Sequence, residues 1–297
     1  MLLYYKEMIS SPEPAKRLVQ LLVSMLLLTI VLLNNKAQAE LGTPQRVISL
    51  APHITELVYA VGAGDKLVAV SDYSDYPAAA QLLPRVNSFA ALNIEAILAL
   101  KPDLVLAWRS GNPPADLARL QQFGVRVEYS DPLLIDDIAT ELLQIGQWLG
   151  QAEQGALLAT EIQQRLSLLR ASYQQQTPVK VFYAMTTDPL STVANQAWPA
   201  QLLQACGADN IFADAKNDYP QPQLEQLLLR QPEVIVRASK DGSTKQEQFW
   251  QRYPSLPAVR KQAFITLEPD WVYRATPRMI DAMQQLCEAL QQYREPM

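Results

Sequence analysis

N-I-E-A-I-L-A-L-K-P-D-L-V-L, from Asn93 to Leu106, and Q-L-E-Q-L-L-L-R-Q-P-E-V-I-V, from Gln223 to Val236, are one pattern written twice. A glutamate near the start, apolar residues at helical spacing, a proline and an acid before an apolar run align without a gap. The proline ends a helix, and the short apolar run after it reads as a buried strand. Upstream in each half stands a second echo, L-V-Y-A-V-G-A-G-D (Leu57 to Asp65) and L-L-Q-A-C-G-A-D (Leu202 to Asp209). One helix-to-strand junction could be coincidence. Two echoes in the same order argue for two similar α/β lobes.

Around these segments, short strands alternate with helices. Arg46–Leu50, Leu67–Val70, Asp103–Trp108 and Val125–Tyr129 read as strands, and Ile54–Val61, Ile94–Leu100 and Pro113–Phe123 as helices. That alternation predicts mainly parallel sheets with crossover helices. Ile135 to Tyr173 holds neither a strand pattern nor a proline, and Gly150 and Gly155 are its candidate interruptions. A long helix beginning near Gln151 is expected to join the lobes stiffly. The expected divisions are a first lobe at 40–150, a connecting helix at 151–177 and a second lobe at 178–297. The ligand cleft would lie between the lobes, beyond the carboxyl ends of the strands.

Residues 1–39 are of another kind. Lys16 and Arg17 precede an apolar run from Leu18 to Leu33, followed by Ala37-Gln38-Ala39. This is the charged, apolar and A-x-A layout of a cleavable export signal, and the run is shorter than the ~20 residues of a membrane span. The stretch before Lys16 is long for a signal, which makes Met8 a candidate start. No cysteine follows the A-x-A site, so a lipid anchor there is not indicated. Export to the periplasm is the expectation, with the processed chain beginning near Glu40.

The 297 residues carry a net charge of −5, with no basic block, one histidine and two cysteines. Nucleic acid is therefore a poor partner, and a metal site built from several imidazoles and thiolates has no material. In an oxidising compartment Cys206 and Cys287 are expected to pair, closing a loop of about 80 residues worth roughly 4 kcal/mol in the chain-entropy account; two buried thiols are the alternative. No nucleophile elbow, phosphate loop or dinucleotide fingerprint is present, so no enzyme is indicated.

Aromatic residues gather at the strand ends: Tyr73, Phe89 and Trp108 in the first half, and Tyr183, Tyr219, Trp271 and Tyr273 in the second. Such a set suits a large, flat, partly apolar ligand held by stacking and a few polar clamps.

R-V-I-S-L-A-P-x-x-T-E-L (Arg46–Leu57), S-x-Y-S-D-Y-P (Ser71–Pro77), the Asn93–Trp108 segment, C-G-A-D-N-I-F (Cys206–Phe212) and D-W-x-x-R-A-T-P-R (Asp270–Arg278) together resemble the periplasmic cobalamin-binding proteins of bacterial vitamin importers. The resemblance runs across nearly all of the chain after residue 39. The first and third motifs are shared with siderophore- and haem-binding relatives. The second, A-W-R-x-G-N (Ala107–Asn112) and D-W-x-x-R are more particular to the cobalamin branch. The resemblance implies two α/β lobes joined by one long helix, and a protein that hands cobalamin to the permease dimer of an ABC importer with its ATPase subunits. It implies a transported ligand and no cofactor.

Carried over by motif, Tyr73, Phe89, Trp108, Tyr183, Tyr219, Asp270, Trp271, Val272, Tyr273 and Arg274 would line the ligand site. Phe89 and Tyr219 stand where the family commonly has tryptophan. Glu95 and Glu225, one per lobe, match glutamates that pair with permease arginines. Two carboxylates on a pseudo-two-fold suit two symmetric basic patches. His53 departs from the family, and a rim or capping role is expected for it in place of cobalt coordination. A siderophore- or haem-binding protein of the same fold is the alternative reading. Anionic siderophores would call for a cationic cluster, for which Arg109 and Arg274 are the obvious candidates.

Overall fold

A computed structural model of the chain describes residues 42–88, 91–240 and 244–294. The expected export signal at 1–39 and Phe89 lie outside the described residues. The order of elements is β1 (Val47–Ser49), α1 (Pro52–Ala60), β2 (Leu67–Val70), β3 (Asn87–Ser88), β4 (Ala91–Leu92), α2 (Ile94–Ala99), β5 (Leu104–Trp108), α3 (Pro114–Gln122) and β6 (Val127–Ser130). Two helices follow, α4 (Asp137–Trp148) and α5 (Ala152–Tyr173). The second half holds β7 (Lys180–Ala184), β8 (Thr186–Thr187), β9 (Leu190–Ser191), α6 (Ala200–Ala205), β10 (Asp209–Asn210), α7 (Leu224–Arg230) and β11 (Val234–Ala238). It ends with α8 (Thr244–Gln251), α9 (Pro257–Arg260), β12 (Phe264–Leu267), α10 (Pro269–Val272) and α11 (Pro277–Gln291).

The two main sheets are parallel and have the same strand order, β2-β1-β5-β6 in the first lobe and β10-β7-β11-β12 in the second. Numbered within its own lobe, each sheet runs second, first, third, fourth. The sequence echoes fall on equivalent parts of this plan. α1 and α6 each end just before a glycine of positive φ, Gly62 at 82° and Gly207 at 63°. A side chain is strained in that conformation, so glycine turns the chain from helix into the next strand. α2 and α7 each lead through the proline junction into the sheet's third strand, β5 and β11.

The strands carry near-continuous apolar runs because helices cover both faces of each sheet. On one face, Ile48, Val105 and Ala107 pack with Ile97, Leu117 and Leu120 in the first lobe, and Phe182 and Ile235 pack with Leu227 and Trp250 in the second. The other faces share one continuous core, which runs from α1 through α4 and α5 to α11.

The helical stretch between the lobes is two helices, α4 and α5, and the second starts at Ala152, next to the expected Gln151. Gly150, at φ 71°, turns the chain between them. Gly155 does not interrupt α5. It lies where α4 and α5 cross, and a methyl group there would meet the Leu142 carbonyl oxygen at 2.6 Å. Close helix approach is the reason for this glycine. Cys206, ending α6, and Cys287, on α11, form a disulfide buried in the second lobe.

Candidate cleft between the lobes

Both sheets present the carboxyl ends of their strands to one open cleft of about 880 Å³. Its lining includes Leu50, Pro52, His53, Asp72, Tyr73, Trp108 and Leu133 from the first half of the chain and Met185, Trp198, Tyr219, Asp270, Tyr273 and Arg274 from the second.

The first wall is built by short-range locking. Pro52 opens α1 directly after β1, where its missing N–H costs no helical bond. A chain of buried hydroxyls follows: Thr55 Oγ1 donates to Ser49 Oγ at 2.9 Å and lies 3.0 Å from Ser74 Oγ, from which it can accept, and Ser71 and Ser74 lie 2.9 Å apart. This ties the loop after β2 to α1 and holds Tyr73 at φ 62°, a conformation uncommon outside glycine, with 75% of its surface exposed at the cleft. Trp108 ends β5. Its backbone N–H donates to Asn112 Oδ1 at 2.7 Å, and Asn112 Nδ2 donates to the Leu50 carbonyl at 3.0 Å. His53 meets the indole edge-on, with centroids 5.4 Å apart. Gly111 lies against the same ring, and a Cβ there would fall 2.0 Å from an indole carbon.

His53 is neutral. Burial lowers its pKa from 6.5 to about 4, Asp131 works against that shift and Arg274 adds to it. Its Nε2 lies 3.2 Å from Ser130 Oγ. Behind Ser130, burial raises the pKa of Glu141, whose Oε1 accepts from the Asp131 N–H at 3.1 Å.

The second wall is assembled from loops. Tyr219 is held by backbone pairing: the Ala194 N–H donates to the Asp218 carbonyl at 2.8 Å and the Thr192 N–H to the Pro220 carbonyl at 3.0 Å. Trp198 donates from Nε1 to the Val272 carbonyl at 3.2 Å, fixing α10. Tyr73, Trp108, Tyr219, Asp270, Tyr273 and Arg274 thus line a single space.

Tyr183, Trp271 and Val272 do not line it. Tyr183 is buried behind the wall, where its hydroxyl donates to that of Tyr273 at 3.3 Å, and burial raises its pKa well above 10. Val272 is buried in the core, and Trp271, half-buried, packs against it. The reason is helical: around α10, Asp270, Tyr273 and Arg274 share a face at i, i+3 and i+4, and the two residues between them point the other way. Trp198 and Gln196 follow no strand of the main sheets, and Met185 and Leu133, which come after β7 and β6, are not aromatic, so a search for aromatics at strand ends selects none of the four. The A-W-P stretch at 197–199 was the available signal for Trp198.

The cleft holds little free charge. Arg274 donates to Glu56 at 2.9 Å, Asp75 at 2.7 Å, Asp270 at 2.9 Å and the Tyr73 carbonyl at 3.1 Å. Burial alone would raise the pKa of Asp75, but the Arg274 hydrogen bond and charge bring it below the usual value. Lys240 pairs with Asp270 at 2.6 Å. Arg109 stacks its guanidinium 4.2 Å from the centre of the Tyr129 ring and is not part of the lining. Among the described lining residues, no cation is left unpaired. That surface suits a bulky, uncharged or weakly charged ligand with an amphipathic rim better than a polyanion.

Glu95 and Glu225 are exposed in the first turns of α2 and α7, outside the cleft. Neither pairs with a cation among the described residues. Asn93 caps α2, accepting the Ala96 N–H at 3.0 Å.

Comparison with known proteins gives the same fold. The vitamin B12-binding protein of Vibrio cholerae is 40% identical over 271 residues, covering 91% of this chain and 98% of that protein. The one from Photorhabdus laumondii is 41% identical over 262 residues, covering 88% and 93%. The crystal structure of the periplasmic vitamin B12 binding protein BtuF of Vibrio cholerae superposes with a TM-score of 0.74 at 42% identity, covering 84% of this chain and 98% of that one. A periplasmic heme binding protein from Pseudomonas aeruginosa gives 0.72 at 26% identity, covering 86% and 95%. The family described as periplasmic binding protein matches residues 47–271, and the chain belongs to that family.

Proposed function

We propose that this protein captures cobalamin in the cleft between its two lobes and delivers it to the permease of an ABC importer. The observation that carries the reading is an aromatic cleft of about 880 Å³ without an unpaired cation among its described lining residues, in a chain 40% identical to a vitamin B12-binding protein. Siderophores and haem bring carboxylates or similar anions, for which such a wall offers no ready partner. In this reading Tyr73, Trp108, Tyr219 and Tyr273 give apolar faces to the ligand, and Asp270 and Arg274 supply polar edges. Cobalamin is cargo, not a cofactor for turnover.

Residues 1–39 serve as the export signal, and residues 40–150 and 178–297 act as the two lobes. Glu95 and Glu225 are free to meet one basic patch on each half of a permease dimer, whose ATPase subunits drive transport. The test is calorimetric titration of the chain from Glu40 onward with cyanocobalamin, haem and a ferric siderophore. Tight one-to-one binding of cyanocobalamin alone is expected. Preference for haem or the siderophore would overturn the assignment.

A further inference from the structure

Glu56 lies one turn beyond His53 on α1, just behind the cleft wall and not on it. Its side chain is 2% exposed and faces two arginines from the other half of the chain. Oε1 accepts from Arg274 Nη1 at 2.9 Å and from Arg278 Nη2, and Oε2 accepts from Arg278 Nε at 3.0 Å. Arg278 does not line the cleft, and its guanidinium lies 3.9 Å from the centre of the Tyr76 ring. Arg274 carries the connection forward to Asp75, Asp270 and the Tyr73 carbonyl. Three carboxylates, Glu56, Asp75 and Asp270, are thus matched by three cations, Arg274, Arg278 and Lys240.

This cluster joins the lobes at the cleft. Glu56, Tyr73 and Asp75 belong to the first lobe and the others to the second. A buried carboxylate between two guanidinium groups fixes their direction, because removing it leaves charge without a partner in a dry site. We propose that Glu56 is a positioning residue for the ligand: through Arg274 it holds the Tyr73 backbone of one lobe against the Asp270 carboxylate of the other and so sets the spacing of the cleft walls. This rests on the cobalamin reading above for the ligand, but not for the clamp.

The test compares the protein purified from the periplasm with its Glu56→Gln, Glu56→Asp and Arg278→Gln variants by cyanocobalamin titration and stopped-flow dissociation. Glu56→Gln is expected to weaken binding about tenfold, mainly through faster release. Glu56→Asp keeps the charge and should restore part of the loss. Glu56→Gln combined with Arg278→Gln should be little worse than Glu56→Gln alone, because the two act through one contact. Should Glu56→Gln not fold, Arg278→Gln carries the same expectation. A lowered melting temperature with wild-type affinity and release would make Glu56 a purely structural residue and overturn the inference.

A second arm needs no ligand. Spin labels at Gln121→Cys on α3 and Gln226→Cys on α7 report the distance between lobes. Glu56→Gln is expected to broaden that distribution, and an unchanged one counts against the clamp. If the wild-type protein binds no cyanocobalamin, the ligand assignment falls while this arm still judges the clamp.

Discussion

The first lobe and the second share a sheet order and two sequence echoes, yet they are secured by different means. Val61 and Cys206 occupy equivalent places, each the last residue before the glycine that ends the lobe's first helix. The Val61 side chain is held there by packing, whereas that of Cys206 is bonded to Cys287 on α11. The cleft walls differ in the same spirit. Trp108 is locked by Asn112, His53 and Gly111, while Tyr219 rides on a loop held by backbone pairing. A repeat can therefore preserve the scaffold while leaving each lobe to stabilise its own wall.

The largest expected effect separates the lobes by their covalent difference. Replacing both Cys206 and Cys287 with alanine opens a loop with a sequence separation of 81. The loss should be about 4 kcal/mol of unfolding free energy in urea titrations. The signal from Trp250, buried in the second lobe, should go first, so that the transition loses its single step. A cooperative transition with the wild-type midpoint would mean that core packing across α11 secures the lobe without its staple.

Next in size is a difference in pH response, because the only histidine is in the first lobe. His53 titrates near 6.5 when unfolded and at about 4 when folded, with burial as the leading cause. Between those values the unfolded chain binds more protons, so stability is full above pH 6.5 and falls as the pH drops toward 4. The contribution at stake is at most about 3 kcal/mol. Glu141 acts in the opposite sense, since burial raises its pKa and its proton uptake favours the folded form as the pH falls. The difference in melting temperature between wild type and His53→Gln, followed from pH 7 to pH 4.5, isolates the histidine. Wild type should lose more stability than the variant, and parallel curves would show that His53 is not buried as described.

How much of this was legible follows from the kind of rule each feature obeys. The parallel sheets and the lobe repeat were readable because the proline junction before β5 and β11 and the helix-ending glycines at 62 and 207 are local signals. Cleft lining is not local. A strand-end rule locates Trp108 and Tyr73 but does not say which way Tyr183 faces within a strand buried on both sides. Carrying Trp271 and Val272 over by motif together with Asp270 likewise passes over the helical turn at 269–272 that separates their faces. Trp198 and Leu133 come from connections between elements and meet the others only after folding. The ion cluster around Arg274 was hidden for a similar reason: its anion Glu56 is 218 residues away, and a lone carboxylate on a helix gives no sign in sequence of the partner it will meet.

The smallest effects decide whether wall rigidity matters to the ligand. Trp108→Ala removes an anchored ring and should weaken cyanocobalamin binding by about 30-fold or more, in the range of a hot-spot aromatic. Tyr219→Ala removes a ring of comparable role that is about half exposed and loop-borne, and a loss of about fivefold is expected. Gly111→Ala sharpens the contrast without deleting any ring. Its methyl group would fall 2.0 Å from the indole, so Trp108 must shift. If locking is what makes the first wall count, Gly111→Ala should exceed Tyr219→Ala in its cost to affinity, through faster dissociation in stopped-flow. If Tyr219→Ala proves the costlier of the two, ring area at the loop-built wall outweighs locking at the other, and the second lobe would be the principal reader of the ligand.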